Sequence, residues 1–189
     1  CGILYTRQAR LQQAISDKVL RFHVLANSDS EADQALKLAV RDRVLQEYGD
    51  LLETCTSKEE TLAALKNAQQ EISETAEAEV LAQGYAYPVR VSLVREEFPF
   101  KKYGDLIFPA GVYDALRIEI GEAKGHNWWC VLYPQMCYVD AAWGYSTEES
   151  HVRLQNTLTK EEFLVVSAME QKKVTPKIKC RLVELWSER

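Results

Sequence analysis

Long apolar runs are missing from this sequence: no stretch of about 18 apolar residues occurs, so the chain as given does not cross a bilayer as a helix. Histidine is scarce, at three residues, and no CxxC or HExxH spacing occurs, which leaves a zinc site without its usual compact ligand framework. His126, four residues before Cys130, is too isolated a pair to imply a metal. Glycine is limited to eight residues, and the pair in "GEAKG", Gly121 and Gly125, lacks the strand, loop and helix order of a phosphate cradle and reads as a tight hairpin. Positive charge is in deficit, with 23 Lys and Arg against 28 Asp and Glu. A net charge of -5 argues against non-specific binding of DNA or anionic membrane by the whole surface, so nucleic acid is not an expected partner and no cofactor is implied. Internal repeats and low-complexity tracts are also lacking. The first residue is Cys1, and "CGILY" reads as the apolar tail of a processed signal or anchor, so residues 1–14 are expected to be a remnant or juxtamembrane segment.

What is present is ordinary globular material. At 189 residues and 47% hydrophobic content the chain suits one domain with a real core. Residues 18–26, "KVLRFHVLA", alternate as a strand, with Leu20, Phe22 and Val24 on one face and Arg21, His23 and Leu25 on the other. A helix is predicted over 31–48, capped by Ser30 with Glu31 and Asp33 in its first turn and ended by Gly49. A second is predicted from Ser57 to Gly84, with an acidic side that reads as a solvated face. "YPVRVSLVREEF", the segment Tyr113–Ile120 and "NWWCVLY" read as antiparallel strands, and the Pro-, Gly- and aromatic-rich stretch from Phe98 to Gly111 as an ordered surface loop. Residues 141–159 read as an irregular link, and 177–188 as a short amphipathic helix. The expected fold is therefore α+β: an antiparallel sheet packed against an amphipathic helical pair, with a C-terminal helix.

Five cysteines stand at positions 1, 55, 130, 137 and 180, and the odd count does not distinguish an oxidised from a reduced protein. Cys130 and Cys137 flank "VLYPQM", where Pro134 turns the chain, within reach of the roughly 4.4 to 6.8 Å Cα separation of a disulfide. Two buried free cysteines on a strand and its return fit that spacing equally well. Either thiol, with His126, His23 or His151 as base, would supply nucleophilic chemistry, but no local protease signature surrounds them. His23 with Ser28 and Asp29 is better read as a strand end and turn. Trp128 and Trp129 alternate faces on a strand, which sends one to the core and leaves the other for a partner. Lys172, Lys173, Lys177, Lys179 and Arg181 allow membrane-surface proximity, at about 1 kcal/mol per residue near anionic headgroups, although solubility is the plainer reading.

The blocks "RFHVLANSDSEADQALKLAVRDRVL", "YPVRVSL" and "KKYGDLIFPAGVYDALRIEIGEAKGHNWWCVLYPQMC" followed by "VD", in that order over residues 15–140, resemble the stage II sporulation protein R family. The resemblance implies a secreted signalling protein of endospore-forming bacteria, made in the forespore and exported into the space between the forespore and mother-cell membranes. There it triggers a membrane-embedded aspartic protease of the mother cell, which processes the precursor of sporulation sigma factor E. Export favours a Cys130–Cys137 disulfide. The resemblance also marks residues 141–189, which hold the helix expected over 177–188, as a variable C-terminal extension, and implies no catalytic residues. Two positions depart from the family pattern: Ala123 stands where glycine is usual, which puts a left-handed backbone there in doubt, and "YPQMC" replaces "FPPLC".

The family supplies no contact residues, so the expected interface comes from the chain itself. Phe98, Phe100, Tyr103 and Phe108 in the Phe98–Gly111 loop, together with Trp128 or Trp129, are the candidates, because aromatics around Pro and Gly make preorganised contacts. Asn27, Ser28 and Asp29 form a polar second candidate, for which a fold-fixing turn is an equal reading. The rival function is a secreted hydrolase acting on cell-wall material, with Cys130, His126 or His23 in catalysis.

Overall fold

The computed structural model describes residues 2–137 and 148–168. Helix α1, Gly2–Lys18, leads directly into strand β1, Leu20–Leu25, and so runs through the boundary expected near residue 14. Helix α2 spans Glu31–Glu53 and begins as predicted: the Ser30 hydroxyl accepts the Asp33 N–H at 3.1 Å, and Glu31 and Asp33 sit at the positive end of the helix dipole. It does not stop at Gly49. That glycine is buried inside α2, and packing of its neighbours Tyr48 and Leu52 outweighs its poor helix propensity, worth about 1 kcal/mol.

The single helix expected over Ser57–Gly84 is two. Helix α3, Lys58–Asn67, and helix α4, Gln69–Ala82, meet at Ala68, whose φ of -89° and ψ of 1° break the helical run. The bend brings Leu65 of α3 and Ile72, Ala76 and Val80 of α4 into one core. Five strands follow among the described residues: β2 (Val89–Phe98), the short β3 (Lys101–Tyr103) and β4 (Leu106–Phe108), β5 (Gly111–Ile120) and β6 (Asn127–Tyr133). The segment read as a surface loop thus holds a small antiparallel hairpin, β3 with β4. Residues Glu148–Thr157 form helix α5, inside the segment expected to be an irregular link, and Lys160–Ala168, for which no element was predicted, form helix α6. The signal for α6 lay in "TKEE": the Thr159 hydroxyl accepts the Glu162 N–H at 3.3 Å while the Glu162 carboxylate accepts the Thr159 N–H at 2.7 Å, a reciprocal cap. The helix expected over 177–188 lies outside the described residues.

The main sheet has the order β2-β5-β1-β6. Most of its pairing is antiparallel, as expected, but β1 runs parallel to β5, with Leu20 beside Asp114 and Leu25 beside Glu119. The reason is that β5 and β6 do not pair with each other. The "GEAKG" connection is not a hairpin turn; it passes over the end of β1, which lies between them, and donates from Gly125 to the Ala26 carbonyl at 2.9 Å. A period-two pattern cannot report this, since it is the same for both strand directions.

Two cores lie on opposite sides of the sheet. Leu20, Phe22, Val24, Leu116 and Ile118 meet Leu36, Val40 and Val44 of α2 and the apolar side of α4. On the other side Phe98, Tyr113, Ala115 and Val131 meet Ile15 and Val19, the hairpin residues Leu106 and Phe108, and Leu154 of α5, Val166 of α6 and Leu158 between them. Lys18–Glu162 at 2.7 Å and Arg7–Glu161 at 3.0 Å tie α1 to α6. Arg21 and His23, placed by their alternation on the far side of β1, therefore face this second core rather than solvent.

Candidate functional site

Alternation along β1 points Arg21 and His23 to the second core, and the strand register carries that face across the sheet. Val131 and Trp129 of β6 lie beside them on one side, and Ala115 and Arg117 of β5 on the other, followed by Val94 and Ser92 of β2. The hairpin β3–β4 covers one end. Arg21, 0% exposed, sits within four rings, its Cζ 5.1 Å from Phe98, 5.2 Å from Phe108, 5.3 Å from Tyr113 and 5.6 Å from Tyr103. Among the described residues its one side-chain hydrogen bond is from Nη2 to the Tyr103 hydroxyl at 3.1 Å.

Next along β1, His23 stacks on Trp129 with centroids 4.9 Å apart, and Lys101 of the hairpin places its Nζ 4.9 Å from the same indole. Glu96 Oε1 lies 2.6 Å from His23 Nε2, out of line for a hydrogen bond, and Glu96 Oε2 accepts from Arg117 at 3.1 Å. Burial, then the charges of Arg117 and Arg21, push the His23 pKa down to about 3, so the ring is neutral. Burial and the Arg21 charge lower the Lys101 pKa as well. Burial lifts Tyr113 to about 12 and raises Tyr103, with Arg21 opposing both shifts. One concentration stands out. The buried side-chain polar atoms without a hydrogen-bond partner among the described residues belong to Arg21, His23, Ser92, Glu96, Arg117, Glu119 and Asn127, and the register places every one of those residues on this face.

The residues singled out in the sequence divide. Phe98 and Phe108 are core residues, because the hairpin folds their rings over Arg21, and they offer no surface to a partner. Tyr103 is partly covered, while Phe100 is 52% exposed beside the hairpin. Trp129 and Trp128 take opposite faces as expected, but both are partly buried; Trp128 meets Phe22 edge-on at 5.7 Å, with the Arg41 guanidinium 4.8 Å from its ring. Arg21, Glu96, Lys101 and Arg117 were missed. The available signal was an arginine and a histidine inside an otherwise apolar strand.

Asn27, Ser28 and Asp29 are occupied in holding the fold. Asn27 Nδ2 and Ser28 Oγ both donate to Asp33 Oδ2, at 2.9 and 2.5 Å, and Asn27 Oδ1 accepts the Glu122 N–H at 2.9 Å. Asp29 Oδ1 accepts the His126 N–H at 2.6 Å and lies 2.5 Å from its Nδ1. Those bonds from the backbone and side chain of His126 hold the Asp29 carboxyl below its usual range. The cluster clamps the β5–β6 connection so closely that a Cβ on Gly125 would overlap the Ser28 carbonyl. Ala123, on the same connection, adopts the left-handed conformation after all, with φ of 53°.

Cys130 and Cys137 are joined in a disulfide, with Cα atoms 5.6 Å apart, so neither thiol is available as a nucleophile in this form. In that loop Gln135 occupies one of the departing positions; its amide donates to the Leu52 carbonyl and its oxygen accepts from Arg153, which ties the end of α2 to α5. Among the described residues no three His, Cys, Asp or Glu side chains converge as a metal cluster, and no helix is long and apolar enough to cross a membrane.

The family model for stage II sporulation protein R matches residues 16–143. The chain is also 33% identical over 184 residues to the stage II sporulation protein R of Bacillus subtilis (strain 168), an alignment covering 92% of this chain and 82% of that protein. No solved structure matches it. The matched span includes all four strands of the main sheet, the helices on its first face and the hairpin over Arg21, and on that extent the chain belongs to the stage II sporulation protein R family.

Proposed function

We propose that this protein is a sporulation signal: exported from the forespore, it activates a membrane-embedded aspartic protease of the mother cell that processes the sporulation sigma factor E precursor. The observation that carries the reading is family membership over residues 16–143. The Cys130–Cys137 disulfide agrees with an exported protein, and it weighs against a resting cysteine hydrolase. Signalling by binding requires only that the protein hold the active arrangement of its receptor more tightly than the inactive one. Each tenfold preference corresponds to about 1.4 kcal/mol of differential contact.

The contact surface in this reading centres on the exposed Phe100, the partly exposed Tyr103 and Trp129, and Lys101 between them. Aromatic groups of this kind are the usual anchors of a protein interface, and Lys101 adds a positive charge among them. Reconstituted precursor cleavage, with the purified oxidised protein added to the outer face of protease-bearing vesicles, tests the function. Stimulation is expected, and Phe100→Ala is expected to reduce it at least tenfold without lowering the melting temperature. A folded, oxidised protein that leaves cleavage at its basal rate would refute the proposal. Full stimulation by Phe100→Ala and Lys101→Ala would instead remove this surface from it.

A further inference from the structure

We propose that Arg21 and Lys101 form a carboxylate-binding site, filled by an acidic side chain of the protein partner. The identity of the partner rests on the signalling reading; the site itself does not.

Charge matching on this face leaves two cations over. Glu96 is matched by Arg117 at 3.1 Å and Glu119 by Arg117 at 3.4 Å and Arg90 at 3.7 Å, whereas neither Arg21 nor Lys101 has a carboxylate partner among the described residues. Arg21 is wholly buried, and its Nε and Nη1 have no acceptor. The four rings around it offset part of that burial, at about 0.5 to 2 kcal/mol for a cation over a ring, but they do not supply acceptors for the remaining N–H groups. A methionine side chain would fill the same box without an unpaired charge. The charges of Arg21 and Lys101 also oppose one another, which an incoming anion would relieve.

The cover over Arg21 is suited to admitting such a group. Tyr103 and Phe108 come from the β3–β4 hairpin, a two-stranded sheet separate from the main one, and Tyr103 is partly exposed. If the Tyr103 hydroxyl moves aside, Nη2 is released next to an unpaired N–H, and the guanidinium then presents the two-pronged edge that fits a carboxylate. A planar carboxylate suits a slot between rings better than a tetrahedral phosphate does. Lys101, two residues before Tyr103 on the hairpin, adds the second positive charge.

The test compares thermal melting of the protein in sodium acetate and in sodium chloride at equal ionic strength. Acetate is expected to raise the melting temperature of the wild type above its value in chloride by mass action, and Arg21→Met to melt higher than wild type in chloride yet show no acetate increment. Lys101→Met should fold normally and keep less than half of the increment. In precursor cleavage, Arg21→Met should stimulate at least tenfold less than wild type. Equal melting of the wild type in both salts, or an undiminished increment in Arg21→Met, overturns the site; if Arg21→Met does not fold, an undiminished increment in Lys101→Met does so. An acetate response together with full cleavage by Arg21→Met overturns the protein partner as the source of the carboxylate. Wild type that fails to stimulate cleavage counts against the signalling reading, and the acetate arm still decides the site.

Discussion

Ala123 is held at a φ of 53°, where its Cβ crowds the backbone and an L-residue pays about 1 to 2 kcal/mol that glycine does not. Ala123→Gly should therefore stabilise the protein by up to about 1 kcal/mol, part of the relief being returned as glycine's greater freedom when unfolded. Chemical denaturation measures this, and a destabilised variant would show that the Ala123 methyl makes contacts worth more than the strain. His23 gives a second residue-scale expectation. Its pKa is about 3 in the fold and near 6.5 in the unfolded chain, so between those values the unfolded state binds the extra proton. Stability supplied by the neutral ring is complete above about pH 6.5 and is lost as pH falls toward 3. The carboxyls of Asp33, Asp114 and Glu162, held below their usual range, add to that loss only below about pH 4. His23→Phe, which keeps a ring against Trp129, should flatten melting temperature against pH between 6.5 and 4; an unchanged slope would place the titration elsewhere. These properties were illegible in the sequence because alternation gives a residue's face but not what covers that face: it put Arg21 and His23 opposite Leu20, Phe22 and Val24, and said nothing of the hairpin and the helices α5 and α6 on that side.

Elements whose ends are set by local chemistry were legible. Ser30 capped α2 as expected, and Ser57 caps α3 by accepting the Glu60 N–H at 3.1 Å. Elements ended by tertiary packing were not: Gly49 does not end α2, and the helical spacing of Leu62, Leu65, Ala68, Ile72, Ala76 and Val80 runs through Ala68 with nothing to announce the bend there. The reciprocal cap at Thr159 and Glu162 was local and was overlooked. Thr159→Ala should cost about 1 kcal/mol, as loss of an N-cap does, and should loosen α6 from α1, since Glu162 also holds Lys18. Amide exchange in α6 would report it. The Cys130–Cys137 staple closes a short loop at the end of β6. Reduction, or Cys130→Ser with Cys137→Ser, should cost on the order of 2 to 3 kcal/mol in the chain-entropy model, read as a shift of the denaturation midpoint.

At the scale of the whole molecule, the class of fold and the family were both legible, the first from the order of helices and strands and the second from three sequence blocks. Sheet order was not, because it depends on a connection that crosses over β1 without pairing its two ends. β1 is enclosed on both faces by the two cores and on both edges by β5 and β6. Its amides from Phe22 to Val24 should exchange at the rate of global unfolding and outlast those of the edge strand β2. Faster exchange in β1 than in β2 would mean that the two layers separate before the protein unfolds.

The position of β1 also bears on how the chain comes together in time. Among the described strands it is made before the others, yet its partners are Asp114–Glu119 and Asn127–Tyr133, made only after helices α2 to α4 of the first layer. Helices α2 to α4 can form from local contacts, but the sheet they pack on has no centre until β5 and β6 arrive on either side of a strand that has been waiting. Closing such distant pairs is the slow kind of folding step, and until then Leu20, Phe22 and Val24 have no sheet to belong to. A chain stopped before Gly111 thus leaves β1 without either of its partners, and among the described residues the main sheet is complete only once β6 has been made.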